Sequence, residues 1–200
     1  MVNMAPPKAG PLPPPDFSSR DLPIDTIAAG TRLVRIHRNE LHPLFFGAST
    51  ANRFDDPAES YGVCYLAATF AGAFAETCLR AVGARFVAVT FLEERSFSQI
   101  EVTARLRLVS VHGQGLAQVG ATAAVTSGPY TVAQKWSRAI HDHPSKPDGI
   151  AYRSNHDNSE LCAALFEHTA NRLTPLDAEP ITKDRDRLAT LLTRYNVGLG

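Results

Sequence analysis

Arg53, Tyr65, Glu76 and Ser154 are the residues of this chain whose types and order could do chemistry. Arginine's planar fork matches phosphate oxygens better than lysine's point charge. A carboxylate carried by a mostly apolar helix can stabilise a positive charge that develops during reaction. Each residue also has a plainer reading. Arg53 sits in a turn-rich loop, where a surface charge is the ordinary finding. Tyr65 closes a short apolar strand and reads as core. Glu76 lies off the Phe70, Phe74, Cys78 stripe of its helix, and an exposed i,i+4 pair with Arg80 would account for it. Ser154 stands beside Asn155, His156 and Asp157, where a serine turn suffices. Spacing alone leaves both readings open.

Generic motifs narrow the field by their absence. No phosphate-binding loop of the G-x-x-x-x-G-K-[ST] type occurs, no strand–G-x-G-x-x-G–helix fingerprint and no G-x-S-x-G elbow. Cys64, Cys78 and Cys162 are odd in number and lack C-x-x-C spacing, so buried free thiols are expected. A thiol hydrolase built on Cys64 or Cys78 has no histidine nearby in sequence to support it. His141 and His143, next to Pro144 and Pro147, read as two histidines on a solvated loop rather than metal ligands.

The elements that must position these residues follow from periodicity. Arg32 to Arg38 alternates charged and apolar side chains and predicts a half-buried strand. Leu44 to Tyr61 is a loop, rich in Gly, Ser, Asn, Asp and Pro. Val63 to Leu66 predicts a short strand, followed by a helix from Thr69 to Val82 that Gly83 would end. Arg85 to Leu92 is β-branched and aromatic and predicts a strand. Ile100 to Leu108 predicts one long strand, with Ile100, Val102, Ala104, Leu106 and Leu108 on one face. A helix over Thr131 to His141 carries a Val132, Trp136, Ile140 stripe. Strands follow at Ile150 to Arg153 and Leu161 to Phe166, and a helix over Asp184 to Tyr195 closes the chain. Strands and helices mix without a regular β-α-β rhythm, so an α+β fold with a compact mixed sheet and flanking helices is expected.

Bulk properties exclude some function classes. Twenty Lys and Arg balance twenty Asp and Glu, so nothing suggests a nucleic-acid footprint. No apolar run has the length of a membrane span. Proline stands where a signal peptide would be apolar, which makes a cytoplasmic protein the expectation. Residues 1–23 hold half of the prolines and predict a mobile or extended arm, with one domain over residues 24–200.

Beyond these readings, the chain resembles a known family. The stretch Phe46 to Thr77 (FGASTANRFDDP…YGVCYLAATFAGAFAET) is similar to the first half of RES domains: a small-residue turn, an Arg-Phe pair, Tyr-Leu-Ala, then an Ala-rich helix bearing a glutamate. Tyr130 to Ser154 resembles the second half, in which a Gln-containing helix leads through Asp-Gly-Ile to a Tyr-x-Ser strand. Asn52 stands where that loop often has glycine. The resemblance implies an ADP-ribosyltransferase-like fold and assigns the name-giving Arg, Glu and Ser to Arg53, Glu76 and Ser154, with Arg35 and Tyr65 as further site residues. It implies cleavage of NAD at the nicotinamide–ribose bond, with water or inorganic phosphate as acceptor, no cofactor and no metal. It also implies a toxin whose partner is an Xre-type helix-turn-helix antitoxin; a homodimer is left open. Under that resemblance Arg35 and Arg53 hold the pyrophosphate and Glu76 faces the ribose. Tyr65 stacks on nicotinamide, and Ser154 bonds the sugar or amide. Transfer of ADP-ribose to a macromolecule and a non-catalytic binding module are the rivals.

Overall fold

The computed structural model describes residues 10–81, 83 and 85–200. Its elements in chain order are β1 (Ile24–Ile27), β2 (Arg32–Arg38), β3 (Val63–Ala67), α1 (Phe70–Cys78), β4 (Phe86–Val87), α2 (Val89–Glu93), β5 (Arg95–Val102) and β6 (Leu106–Ser110). Then come α3 (Gln114–Val119), α4 (Ala124–Ser127), α5 (Tyr130–His141), β7 (Gly149–Arg153), β8 (Leu161–Phe166), β9 (Leu173–Pro180), α6 (Arg185–Arg194) and β10 (Gly198–Leu199). Eight strands form one sheet in the order β1-β6-β7-β8-β3-β2-β5-β9, antiparallel except for β6 beside β7. Helices flank this mixed sheet, which is the α+β class the sequence predicts.

Two apolar clusters hold it. One lies between the sheet and the helices: Phe74 of α1, Trp136 and Ile140 of α5 and Leu188 and Leu191 of α6 pack on Val34, Ile150, Tyr152 and Ala164 of the strands. The other is made from strands alone, with Leu33, Ile100, Val102, Leu106, Leu108 and Leu165 among its members. β5 and β6 stand five places apart in the sheet yet share this cluster, so the sheet curls to bring its far strands together.

That curl explains a departure from the sequence reading. Ile100 to Leu108 is not one strand. β5 ends at Val102, the chain turns through Thr103–Arg105, and β6 begins at Leu106 on the other side of the sheet. The alternation runs on across the corner because both strands bury their apolar residues in the same cluster. Arg85 to Leu92 also departs, giving only the two-residue β4 before α2. Val87 and Leu92 are buried there while Phe86 and Val89 are exposed, so a continuous pleat has nothing to pack against. The α1 helix stops at Cys78, short of the expected Val82, which lies outside the described residues. Arg80 folds back so that its Nε donates to the Glu76 carbonyl (2.9 Å), satisfying an orphan at the helix end.

The proline-rich segment also differs from expectation over its described part. Residues 10–23 lie on the domain rather than forming a free arm. Phe17 is buried and meets Trp136 edge-on at 5.4 Å, and Trp136 Nε1 donates to the Pro11 carbonyl (2.8 Å). A large aromatic and an otherwise unpaired indole N–H gain their partners there. His141 and His143 are not a solvated pair: His141 ends α5 stacked on Tyr61, and His143 is buried with its ring bonded to Ser145 and the Arg20 carbonyl. Cys64 and Cys162 are buried free thiols and Cys78 is half-buried. No helix among the described residues is long and apolar enough to cross a membrane.

Candidate active site

The site begins where the sheet parts. β2 and β3 share a single ladder pair among the described residues, Val34 with Ala67. Residues 39–62 leave β2 at that seam and return to β3 through a bridge between Gly47 and Val63. A cleft of about 570 Å³ opens there, within the usual range for small-molecule sites. One cross-sheet row, Val34 opposite Ala67, Ala67 opposite Cys162 and Cys162 opposite Tyr152, passes there, with Val34, Ala67 and Tyr152 lining the cleft. α1 lies over this row and carries Glu76.

Glu76 is not an exposed partner of Arg80. Its Oε1 accepts from Ser154 Oγ (2.6 Å) and its Oε2 from Tyr152 OH (3.0 Å), so both carboxylate oxygens are fixed by hydroxyls from the end of β7. Burial, then the Glu76 charge, pushes the Tyr152 phenol well above its ordinary range, which keeps it a neutral donor. Ser154 is 2% exposed and stands behind Glu76, outside the cleft lining. Its Oγ accepts from the amides of His156 (3.1 Å) and Asp157 (3.3 Å), which leaves its own proton for Glu76. The serine turn and the bond to Glu76 are therefore one arrangement. Contact between Ser154 and a bound sugar or amide is not what this geometry provides; the residue orients the carboxylate.

Arg53 is delivered by a loop built around Asp55, which is 1% exposed. Asp55 Oδ2 accepts from Ser49 Oγ (2.8 Å), the Asn52 amide (2.8 Å) and Asn52 Nδ2 (3.1 Å), while Oδ1 accepts from Tyr65 OH (2.8 Å). Tyr65 OH in turn accepts from the Phe54 amide (2.9 Å). From α5, Gln134 Nε2 donates to the carbonyls of Thr50 (2.9 Å) and Asn52 (3.1 Å). Asn52 is not among the positive-φ residues, so the loop makes no demand for glycine at that place. Arg53 itself donates from Nη1 to the Gly128 carbonyl (2.8 Å) and lies 4.6 Å from the Tyr130 ring centroid. Burial lowers its pKa, opposed by Tyr130 and Glu76, and a guanidinium so placed stays charged.

Arg35 reaches the cleft from β2. Its Nη1 donates to the Pro43 carbonyl (2.5 Å) and approaches Cys64 Sγ (3.3 Å). The structure thus brings Arg35, Arg53, Tyr65 and Glu76 to one cleft wall or another, with Ser154 one layer behind. The sequence reading missed Tyr152, although it stands two residues from Ser154 on a strand and so shares its face. It also missed Asp55, Gln134, Tyr130 and His156. Burial, as the largest cause, lowers the pKa of His156, so this cleft residue is a neutral ring near pH 7.

Charge in the cleft is segregated. Among the described residues Arg35, Arg38, Arg53, Arg80 and Arg95 line it and Glu76 is the single lining carboxylate, in a chain of formal net charge zero. Such a lining suits an anion that presents one locally cationic centre.

Comparisons with known proteins show the family and the fold. Residues 32–184 match the family model described as the RES domain. The chain is 30% identical over 122 residues to "Probable toxin y4kH" of Sinorhizobium fredii (strain NBRC 101917 / NGR234), covering 59% of this chain and 95% of that protein. It shares its fold with a chain of the crystal structure of the M. tuberculosis MbcT-MbcA toxin-antitoxin complex. The TM-score is 0.65 at 17% identity, over 86% of this chain and 91% of that one. That likeness, together with the mixed eight-stranded sheet and its flanking helices, shows the fold of this chain. With the family model spanning β2 through β9 and ending just before the last helix, the chain belongs to the RES domain family.

Proposed function

We propose that this protein is the toxin of a toxin–antitoxin pair and that it consumes NAD by cleaving the nicotinamide–ribose bond, with water or inorganic phosphate as acceptor. The observation that carries the reading is the lone, doubly hydrogen-bonded Glu76 carboxylate in an arginine-lined cleft. NAD has a pyrophosphate that arginine forks match and a ribose–nicotinamide bond whose rupture leaves positive charge on the sugar. Arg53 and Arg35 hold the pyrophosphate. Glu76 faces the ribose and stabilises the oxocarbenium-like state by its field or through a ribose hydroxyl. The Tyr65 ring lines the cleft and serves as a surface for nicotinamide, while its hydroxyl stays committed to Asp55. None of these roles calls for a metal.

Purified protein mixed with NAD is expected to release free nicotinamide. Release that rises with added phosphate marks phosphorolysis, and release indifferent to it marks hydrolysis. NAD labelled on the ADP-ribose moiety separates the transferase alternative, because label would then appear on a macromolecule. No nicotinamide and no label transfer would leave a non-catalytic module as the correct reading. The relatives' names support an antitoxin partner for this chain as well, proposed as an Xre-type helix-turn-helix protein that covers the cleft, with the cytoplasm as the place of action.

Ser154→Ala tests the carboxylate's mount. Loss of one hydrogen bond to a charged group is expected to lower kcat roughly tenfold and to change KM little, since substrate does not touch Ser154. Parent-like kcat in steady-state NAD assays would remove Ser154 from the site.

A further inference from the structure

We propose that the C-terminal helix α6 is a clasp that sets the position of the Glu76 carboxylate, with Arg194 and Tyr195 as positioning residues. The proposal rests on the reading of Glu76 as the reacting carboxylate. Glu76 depends on two separate pieces of chain, namely α1, which carries it, and the turn after β7, which supplies Ser154. Both pieces end in contacts with the last residue of α6, Arg194, and with Tyr195, which caps it; α6 begins only where the family match stops at residue 184.

The turn after β7 is held through Asp157. Its amide donates to Ser154 Oγ, and its carboxylate Oδ2 accepts from Arg194 Nη2 (3.1 Å) and Tyr195 OH (2.9 Å). The Ser159 hydroxyl, and beyond it Tyr195 and Arg194, hold the Asp157 carboxyl at about 2, so the contact stays charged at neutral pH. α1 is held at its start. Arg194 Nη2 also donates to Glu160 Oε1 (2.6 Å), and the other oxygen of Glu160 accepts from Thr69 Oγ1 (2.5 Å), the residue that caps α1 by accepting from the Gly72 amide (2.9 Å). Tyr195 reaches α1 directly, with its ring stacked on Phe74 (6.0 Å between centroids, 9° between planes) and its hydroxyl near the Ala71 carbonyl (3.1 Å).

One guanidinium thus bridges the cap of the helix bearing Glu76 and the turn that presents Ser154 to it. Fixing both ends against a third element removes the sliding between α1 and β7 that would separate carboxylate and hydroxyl. A catalytic group displaced by about 1 Å can lose about 10²-fold in rate, so a contact with no reach to substrate can govern kcat.

The experiment compares Arg194→Ala, Arg194→Lys, Tyr195→Phe and, as a control on the same helix, exposed Arg185→Ala. Two readouts are taken on each folded protein: hydrogen exchange of the His156 and Asp157 amides, and kcat and KM for NAD. In Arg194→Ala these two amides are expected to exchange roughly tenfold faster while Ile150 and Ala151 in β7 keep their rates. kcat should fall roughly tenfold with KM within about twofold. Arg194→Lys, which keeps the charge, should recover part of both, and Arg185→Ala should match the parent. Tyr195→Phe keeps the Phe74 stack and loses only the hydroxyl contacts, so it decides the matter if Arg194→Ala does not fold. Unchanged amide exchange overturns the clasp, and so does unchanged kcat in a parent protein that consumes NAD. A parent protein inert toward NAD defeats the catalytic reading of Glu76 instead, and amide exchange alone then decides whether α6 holds the turn.

Discussion

Glu76→Gln is expected to reduce kcat for NAD cleavage by about 10²–10³-fold, the usual cost of removing a preorganised electrostatic partner of the transition state. The fold should survive, because the amide has the shape of the carboxylate and both of its neighbours are hydroxyls. The geometry even selects the orientation of the new side chain. Ser154 Oγ already accepts two backbone amides and has a proton to give, so the amide oxygen must face it. The NH2 then points at Tyr152 OH, which can rotate to accept. Packing is therefore retained while the charge is lost. Glu76→Asp makes the complementary test, since it keeps the charge and withdraws it by one methylene from Tyr152 and Ser154. Progress curves of nicotinamide release at matched protein concentration decide the case, with circular dichroism to verify folding. NAD loss as fast in Glu76→Gln as in the parent would sink the assignment.

What could be read from the sequence was what local pattern encodes. The Val132, Trp136, Ile140 stripe specified α5 to within a residue, and alternation specified β2, because each depends on neighbours three, four or two positions away. The corner at Thr103–Arg105 was hidden for the same reason. Alternation reports which face is buried, and the curled sheet buries both strands in one cluster. β9 escaped notice although Pro175 and Pro180 restrict it to the sheet edge it occupies. At the site, resemblance rather than spacing selected Arg53 and Glu76 over two surface charges. The residues that hold the Arg53 loop and the turn behind Glu76 are distant in sequence: Gln134 bonds Asn52 from 82 positions away, and Tyr195 bonds Asp157 from 38. Polar bonds across such separations leave no period to detect. The exception is Tyr152, which strand geometry places beside Ser154 and which was open to inference.

Arg53→Ala is expected to act on the other steady-state constant, raising KM for NAD by about 10- to 100-fold and leaving kcat within a few-fold. A charge-assisted bond to phosphate contributes about 1.5–3 kcal/mol, which is that range of affinity. The loop should persist without the side chain, because Asp55, Tyr65 and Gln134 hold the backbone of residues 50–54 without using the Arg53 guanidinium. Glu76 keeps its two hydroxyl partners, so the chemical step loses no group of its own. Arg53→Lys separates charge from shape. If Arg53 meets the pyrophosphate as a planar fork braced by the Gly128 carbonyl and the Tyr130 ring, lysine recovers only a minor part of the lost affinity. If only positive potential matters, four other arginines lining the cleft already supply it, and both variants should bind nearly as the parent does. Initial rates over a range of NAD concentrations distinguish the two, and a KM unchanged in Arg53→Ala would overturn the binding role. Salt gives an independent measure, since a pyrophosphate held by fewer arginines should show a shallower rise of KM with ionic strength than the parent.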